Sequence, residues 1–497
     1  MSMLHVVARE WLIVLASLVG LGALVGLGEL LRAQGVAART TRRLVHTGVS
    51  LFVGATPFLF TRPLPVYGLA AVFTLLNADA RFRGKWPGIH EARPESWGTV
   101  ALPLSVLPAL AATWSVSPDR ILAFQLAYLV LALADSAASW VGERSSTTGS
   151  QSPECTVTGS LTFAGLTLSL TLLVLATRTE WSAGRVLVGA GGATIMTPLV
   201  EAVSRRGWDN FFIVVALLLV LVPVQMRTLS PEQLGGALVV GAVFGGLAYA
   251  ADALDGRGAA TGGLFAASLV GLGGGPWIVP GIVFFGVSSA LTGVEGWMQA
   301  SSQAVDAPRR TQAQVLANGG VAWTALAVVA LEPSGSPGAS VAGYAAFVGA
   351  LAAAAADTWA TELGSLSPSL PWSLRSLQQV PTGTSGAISL VGCGAAALGA
   401  ASVVGAALVS GGAVADPVGR NAALLLGAGL AGMLADSAAG AFLQAQYRAP
   451  SGTLIETPPS KGDHPVRGWA GVGNNVVNFI GTAVGALTAL AGIVLGT

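Results

Sequence analysis

The feature that most constrains this chain is a series of apolar runs that recurs along almost its whole length, with acidic residues set inside some of them. Runs such as 11–31, 119–142, 159–177, 184–203, 233–254, 314–332, 339–362, 385–410, 421–445 and 474–496 each approach or exceed the ~20 residues needed to cross a bilayer. Shorter runs, such as 49–60 and 261–273, read as re-entrant or tilted pieces. The 497 residues are 53% hydrophobic and 10% charged, whereas soluble domains carry about 25% charged residues. A water-soluble fold of this size could not hide so much apolar surface, because surface grows nearly as fast as mass. The bilayer must therefore act as solvent. The expected fold is all-α, a polytopic transmembrane helical bundle of about 12–14 spans. The 66 glycines suit close helix packing in lipid.

Charge and cysteine content narrow the class further. A net charge of +1 implies no nucleic-acid partner. Cys155 and Cys393 form neither a framework nor a CxxC motif. Trp11–Leu31 follows a single arginine, Arg9, and precedes Arg32, Arg39, Arg42 and Arg43. A cleaved signal has its positive charge in front and a shorter apolar core, so this run reads as the first transmembrane helix. The positive-inside rule then puts the loop at 32–47 in the cytoplasm and the N-terminus outside, in the cytoplasmic membrane. The polar linker Met226–Leu234, containing a proline, divides the chain into two expected membrane domains, 1–228 and 229–497.

An acid near the centre of a transmembrane helix costs about 2.5–3.5 kcal/mol, a cost that a mere anchor has no reason to carry. Asp135, Asp357, Glu362 and Asp436 are therefore candidate catalytic residues. Ala134-Asp135-Ser136, Ala356-Asp357-Thr358 and Ala435-Asp436-Ser437 repeat one local chemistry three times. Carboxylates beside short hydroxyls suit Mg²⁺, which takes one or two protein carboxylates and shares its other positions with substrate phosphates; Asp135, Asp357 and Asp436 are the candidate ligands. In the second half the segment Val380-Pro-Thr-Gly383-Thr384-Ser385-Gly386 enters an apolar helix, and backbone amides at such a junction form an anion site. Asn318, Gln444, Asn474, Asn475 and Asn478 are further polar residues in or beside apolar runs. In the first half Arg42, Arg43 and His46 precede a helix, as do Arg93 and Ser96. Thr156, Gly159 and Ser160 start another, and Glu201, Asp209 and Asn210 bracket a loop. Arginines at a membrane surface clamp phosphate or anchor lipid headgroups. Neither a Walker motif nor HExxH nor GxSxG is present.

These motifs resemble known families. Arg43-Leu-Val-His46, Arg93…Ser96-Trp-Gly-Thr99, Asp135-Ser-Ala-Ala-Ser-Trp-Val-Gly142, Thr156…Gly159-Ser160 and Glu201…Asp209-Asn210 resemble the phytol kinase and dolichol kinase family over roughly 40–226. Those membrane kinases phosphorylate an isoprenoid alcohol, usually with CTP. The resemblance implies that Asp135 holds the metal–nucleotide, that Gly159 and Ser160 bound the phosphate loop, and that Glu201, Asp209 and Asn210 complete the site. Cys155 stands where that family's loop has lysine, with Arg144 as a possible replacement cation. The second half, roughly 233–497, is similar to the family that contains plant phytyl-phosphate kinase. The similarity runs through Val315-Leu-Ala-Asn318-Gly-Gly320, Ala356-Asp-Thr-Trp-Ala-Thr-Glu-Leu-Gly364, Val380–Gly386, Asp436-Ser-Ala-Ala-Gly440 with Gln444, and Asn474-Asn475-Val-Val-Asn478. It implies phosphorylation of an isoprenyl monophosphate to the diphosphate.

The expectation is a bifunctional isoprenoid-alcohol and isoprenyl-phosphate kinase. Its partners would be CTP, Mg²⁺, the isoprenoid alcohol and its monophosphate, and the lipid bilayer. The alternatives are a cytidylyltransferase that makes a CDP-activated lipid, and a proton-coupled transporter.

Overall fold

The computed structural model describes residues 3–83, 96–145, 156–300, 309–332, 337–412, 418–449, 454–460 and 463–496. Almost all regular structure is helix. Among the described residues eleven helices are long and apolar enough to cross a membrane, and Gly98–Ala112 and Gly275–Leu291 are shorter apolar ones. Large apolar side chains such as Leu15, Leu187, Leu247, Leu398 and Leu495 face outward. Helices apolar all round are those that a membrane surrounds.

The chain divides into two compact units, Met1–Leu234 and Gly235–Thr497. The polar linker put the seam at 228/229. The border falls later because Leu229 and Leu234 pack on Val220 and Val224, which ties the linker and the first turn after it to the first unit.

The first unit contains α1 (Met3–Ala33), α2 (Ala38–Leu59), α3 (Leu64–Phe82), α4 (Gly98–Ala112), α5 (Ile121–Val130), α6 (Ser136–Ser145), α7 (Val157–Arg178), α8 (Ala183–Val203) and α9 (Asp209–Met226). The run at 49–60 is not a separate short piece. It is the apolar part of α2, whose first turns carry Arg39, Arg42 and Arg43. A π-helical turn, Leu131–Asp135, joins α5 to α6 and ends on the acid; such turns gather at functional sites.

Helix α10 (Pro231–Ala250) begins at the border between the units. The second unit continues with α11 (Gly256–Ser268), α12 (Gly275–Ala300), α13 (Gln312–Leu331), α14 (Pro337–Gly364), α15 (Leu390–Val409), α16 (Val418–Phe442) and α17 (Asn474–Gly496). The run at 261–273 likewise extends α11 through a π-helical turn, Leu269–Gly273. Two short antiparallel ribbons fold the loops: β1 (Trp372–Ser373) with β2 (Ala387–Ile388), and β3 (Tyr447–Arg448) with β4 (Leu454–Ile455). The hub is α14, which packs against α12, α13, α15, α16 and α17. Its Phe347, Val348, Leu351 and Ala356 are fully buried. Small residues bring the helices together, as they do in lipid. A Cβ on Gly349 would lie 2.6 Å from the Gly485 carbonyl, and one on Gly432 2.7 Å from the Gly481 carbonyl.

Candidate functional site

In the second unit the small-residue seam also carries the acids. Gly349, Ala353 and Asp357 are spaced by four on α14, as are Ala428, Gly432 and Asp436 on α16, so each acid continues the close-packing face of its helix. The side chains of Asp357 and Asp436 face each other within hydrogen-bonding reach. Asn478 of α17 lies 3.1 Å from Asn318 Oδ1 of α13. Turned with its nitrogen toward the acid, its amide donates to Asp436 Oδ1 at 3.3 Å and to the Asn474 carbonyl at 2.9 Å. Thr482, one turn further along α17, donates to the Ala317 carbonyl at 3.1 Å. These groups line a narrow crevice with Ala353, Ala354, Gly432 and Gly481, too tight to admit a water molecule. A Cβ on Gly481 would sit 3.0 Å from that of Asp436, so any larger residue there would push against the acid.

The Gly/Thr/Ser segment lies one helical turn away. Ser385 Oγ donates to Gln444 Oε1. Gly386 lies so close to Ala441 that a Cβ would come within 2.4 Å of its backbone nitrogen. Gly383 and Gly386 take positive φ, 83° and 71°, a conformation open to glycine at no steric cost. The segment is thus held against the end of α16, a turn beyond Asp436. Thr384 donates to the Pro381 carbonyl. Asn474 and Asn475 form the first turn of α17, with Asn474 exposed. Glu362 belongs to a second grouping at the same end of the unit. It interacts with Arg310, whose guanidinium pKa burial lowers and the Glu362 carboxylate raises. Arg310 also reaches the Ser288 carbonyl at 3.5 Å.

In the first unit the acids meet cations. His46 Nε2 lies 3.2 Å from Asp135 Oδ2 and 3.3 Å from the Leu131 carbonyl. Asp209 is close enough to Asp135, Arg42 and His46 to feel all three charges. Arg43 pairs with Glu143 at 2.9 Å. Arg42 donates to Ser96 Oγ at 3.0 Å, the Gly98 amide donates to the same oxygen at 3.2 Å, and Asn210 donates to the Gly98 carbonyl at 3.0 Å. Ser96 and Asn210 therefore clamp the start of α4 to α2 and α9. Arg93 and Cys155 lie outside the described residues.

The structure gives Gly159 a packing role. Its amide is already taken by Thr156 Oγ1 at 3.1 Å, and a Cβ there would meet the Ala138 carbonyl at 3.1 Å and the Gly142 Cα at 3.5 Å. Ser160 follows it inside α7. Glu201 lies near the C-terminal end of α8. Arg144 is stacked on Trp140, 3.8 Å from the ring centre.

Several contributors escaped the sequence reading. Thr482 and Gly481 lie within four residues of Asn478 in a Gly481-x-x-x-Gly485 spacing, which marks a close helix contact. Gly207, at φ 84°, lies against Ser96 and Gly98, where a Cβ would come within 2.3 Å of both. Only its neighbourhood to Asp209 hinted at it.

The donor chemistry of the second-unit crevice fits a hard divalent cation. It offers carboxylate, amide and hydroxyl oxygens, and two acids at hydrogen-bonding distance require a shared proton or a cation between them. Among the described residues the acids come as a pair and not as a cluster of three potential ligands, as in sites where phosphate oxygens and water complete the Mg²⁺ shell. In the first unit Asp135 already has His46 opposite it, and a cation there would have to replace that contact.

Comparison with known proteins bears on this second unit. Residues 239–486 match the integral membrane protein family DUF92. The DUF92 match takes in Asn318, Asp357, Glu362, the Val380–Gly386 segment, Asp436, Gln444 and Asn478, hence the whole crevice. No solved structure matches the chain.

Proposed function

We propose that the protein is a two-step isoprenoid phosphotransferase. The first unit phosphorylates an isoprenoid alcohol and the second converts the monophosphate to the diphosphate, with CTP as donor and Mg²⁺ bound. The observation that carries this reading is the meeting of Asn318, Asp357, Asp436 and Asn478 from four helices, with the Gly383–Gly386 loop docked a turn away. Phosphoryl transfer asks a protein chiefly for positioning and charge neutralisation, and this set supplies both.

Asp357 and Asp436 would hold Mg²⁺, which neutralises phosphate charge when bound. Asn478 and Asn318 fix the orientation of Asp436, and Thr482 fixes the register of α17 against α13. The Gly383–Gly386 loop would offer an anion its backbone amides other than that of Thr384, which donates to the Pro381 carbonyl. Arg310, Arg257 and Arg375 lie toward the same end of the second unit, and Arg420 lies at the opposite end. The positive-inside rule then favours a cytoplasmic location for this end, where nucleotide is available. The arginine-rich start of α2, beside Asp135, favours the same for the first unit and an outside N-terminus. Joining both steps in one chain raises the effective concentration of the intermediate.

The test is an assay of the purified full chain with CTP, Mg²⁺ and either geranylgeraniol or phytyl phosphate. The expected products are the monophosphate and the diphosphate respectively, with CDP released. Pyrophosphate in place of CDP would mean a cytidylyltransferase. The carboxylate pair inside the bundle also favours a second reading, a proton-coupled transporter. Solute uptake driven by a pH gradient, with no phosphorylated product, would select that reading.

A further inference from the structure

The first unit contains a pocket between α1, α2, α3 and α4, with about 110 Å³ of it open to the centre of a water molecule. Its polarity is graded from end to end. Helices α2 and α4 start at one end and α3 finishes there, and this end is lined by Arg42, His46, Asn77 and Thr99. Beyond that mouth the named lining is apolar until Thr56, whose hydroxyl is turned back to the Val53 carbonyl at 2.7 Å. The far end is closed by Thr56, Val66 and Val106, which are 0%, 3% and 2% exposed.

The pocket's length follows from α2, whose face from Arg42 through His46 to Thr56 lines it throughout. At 1.5 Å per residue the span is about 15 Å from His46 and about 21 Å from Arg42. An extended hydrocarbon with bonds near 1.5 Å advances about 1.25 Å per carbon, so the pocket accepts ~12–16 backbone carbons. We propose that this pocket is a chain-length ruler: it takes one isoprenoid chain of about three to four units, head between Arg42 and His46, tail end against Thr56, Val66 and Val106. The isoprenoid nature of the chain and the identity of its head, an alcohol or its phosphate, rest on the phosphotransferase reading; the length does not.

The head assignment has a geometric basis. Arg42 reaches Ser96, and His46 reaches Asp135, so a head group at the mouth lies beside the acid of the first unit. A chain much longer than the pocket meets the buried floor, and a two-chain lipid has one tail without a channel.

The experiment measures binding of tritiated geranylgeraniol to the purified full chain, without nucleotide, in competition with farnesol, a nine-unit polyprenol and dioleoyl phosphatidic acid. Geranylgeraniol and farnesol are expected to compete, and the polyprenol and the diacyl lipid to compete at least about tenfold more weakly. Thr56→Trp and Val106→Phe fill the floor. Each is expected to weaken geranylgeraniol about 10–200-fold while leaving farnesol within about threefold, so retained farnesol binding also reports a folded protein. Val66→Ala deepens the floor and shifts preference toward longer chains. Equal binding of the nine-unit chain to the unaltered protein, equal competition by the diacyl lipid, or equal loss of both short alcohols in the filled variants overturns the ruler. Because no nucleotide is present, a failure of phosphoryl transfer in the separate assay leaves this result standing, and the reverse also holds.

Discussion

In the first unit Asp135 faces His46 at 3.2 Å and Asp209 shares its surroundings with Arg42. In the second, Asp357 and Asp436 face each other, with amides and a hydroxyl around them. The same Ala-Asp-Ser/Thr step in an apolar helix thus ends in two different electrostatic settings. The partner helix makes the difference. Helix α2 brings His46 to Asp135 and Arg42 near Asp209, whereas α16 brings a second acid to Asp357. A site balanced by its own side chains is stable without a ligand. A site of paired acids holds charge that only a proton or an added cation relieves. The comparison makes the second unit the stronger candidate for metal binding.

The largest expected effect separates the two sites by activity. Asp357→Asn and Asp436→Asn should each lower conversion of phytyl phosphate by about 10²–10³-fold, while phosphorylation of the free alcohol stays within about twofold. Asp135→Asn should give the opposite pattern. Product analysis with each substrate decides the matter. Equal loss of both steps in every variant would mean one shared site, and the contrast between the units would be lost.

The next effect concerns stability. Asp436→Asn removes one of two facing acids, so in metal-free buffer it should leave thermal stability unchanged or raise it. Asp135→Asn breaks the contact with His46 and should destabilise by about 1–2 kcal/mol, discounted because both side chains keep partial access to water. Adding Mg²⁺ should raise the unfolding temperature of the unaltered protein. At a hundredfold excess over its dissociation constant the gain is about 2.7 kcal/mol. That gain should vanish in Asp436→Asn and survive in Asp135→Asn. Equal metal stabilisation in both variants would remove the distinction.

The helical class and most of the second-unit site residues were legible in the sequence, and the unread part has a physical cause. The all-helical membrane class follows from the apolar runs, since nothing but helices or a closed barrel satisfies the backbone in lipid. Asp357, Asp436, Asn318 and Asn478 stood out because a polar side chain in an apolar run is costly. What the sequence could not supply was the partner of each acid, because that depends on which helices pack together. Asp135 and Asp436 share nearly identical neighbours in the chain, yet one meets His46 and the other Asp357. The family resemblance makes Gly159 part of a phosphate loop, and the structure adds a close contact with Gly142 that the sequence did not show. The runs at 49–60 and 261–273 continue N-terminally into the more polar starts of α2 and α11, and neither helix is among the eleven long and apolar enough to cross.

A smaller effect tests whether the second-unit acids depend on close packing for their contact. Gly481→Ala places a methyl group 3.0 Å from the Asp436 Cβ and from the Gly432 carbonyl, and overpacking of this kind costs about 1–3 kcal/mol. If the paired acids work as a unit, the substitution should weaken Mg²⁺-dependent stabilisation more than it lowers metal-free stability, because it separates α17 from α16 at the acid itself. Gly245→Ala makes the matched control. It introduces a harder clash, 2.7 Å from the Ala259 carbonyl, at the contact of α10 with α11 rather than at the crevice. It should lower metal-free stability by at least as much and leave the metal response intact. The same metal response in both variants would show that the acids tolerate helix separation, and the pairing of Asp357 with Asp436 would then be a consequence of packing and not the basis of a site.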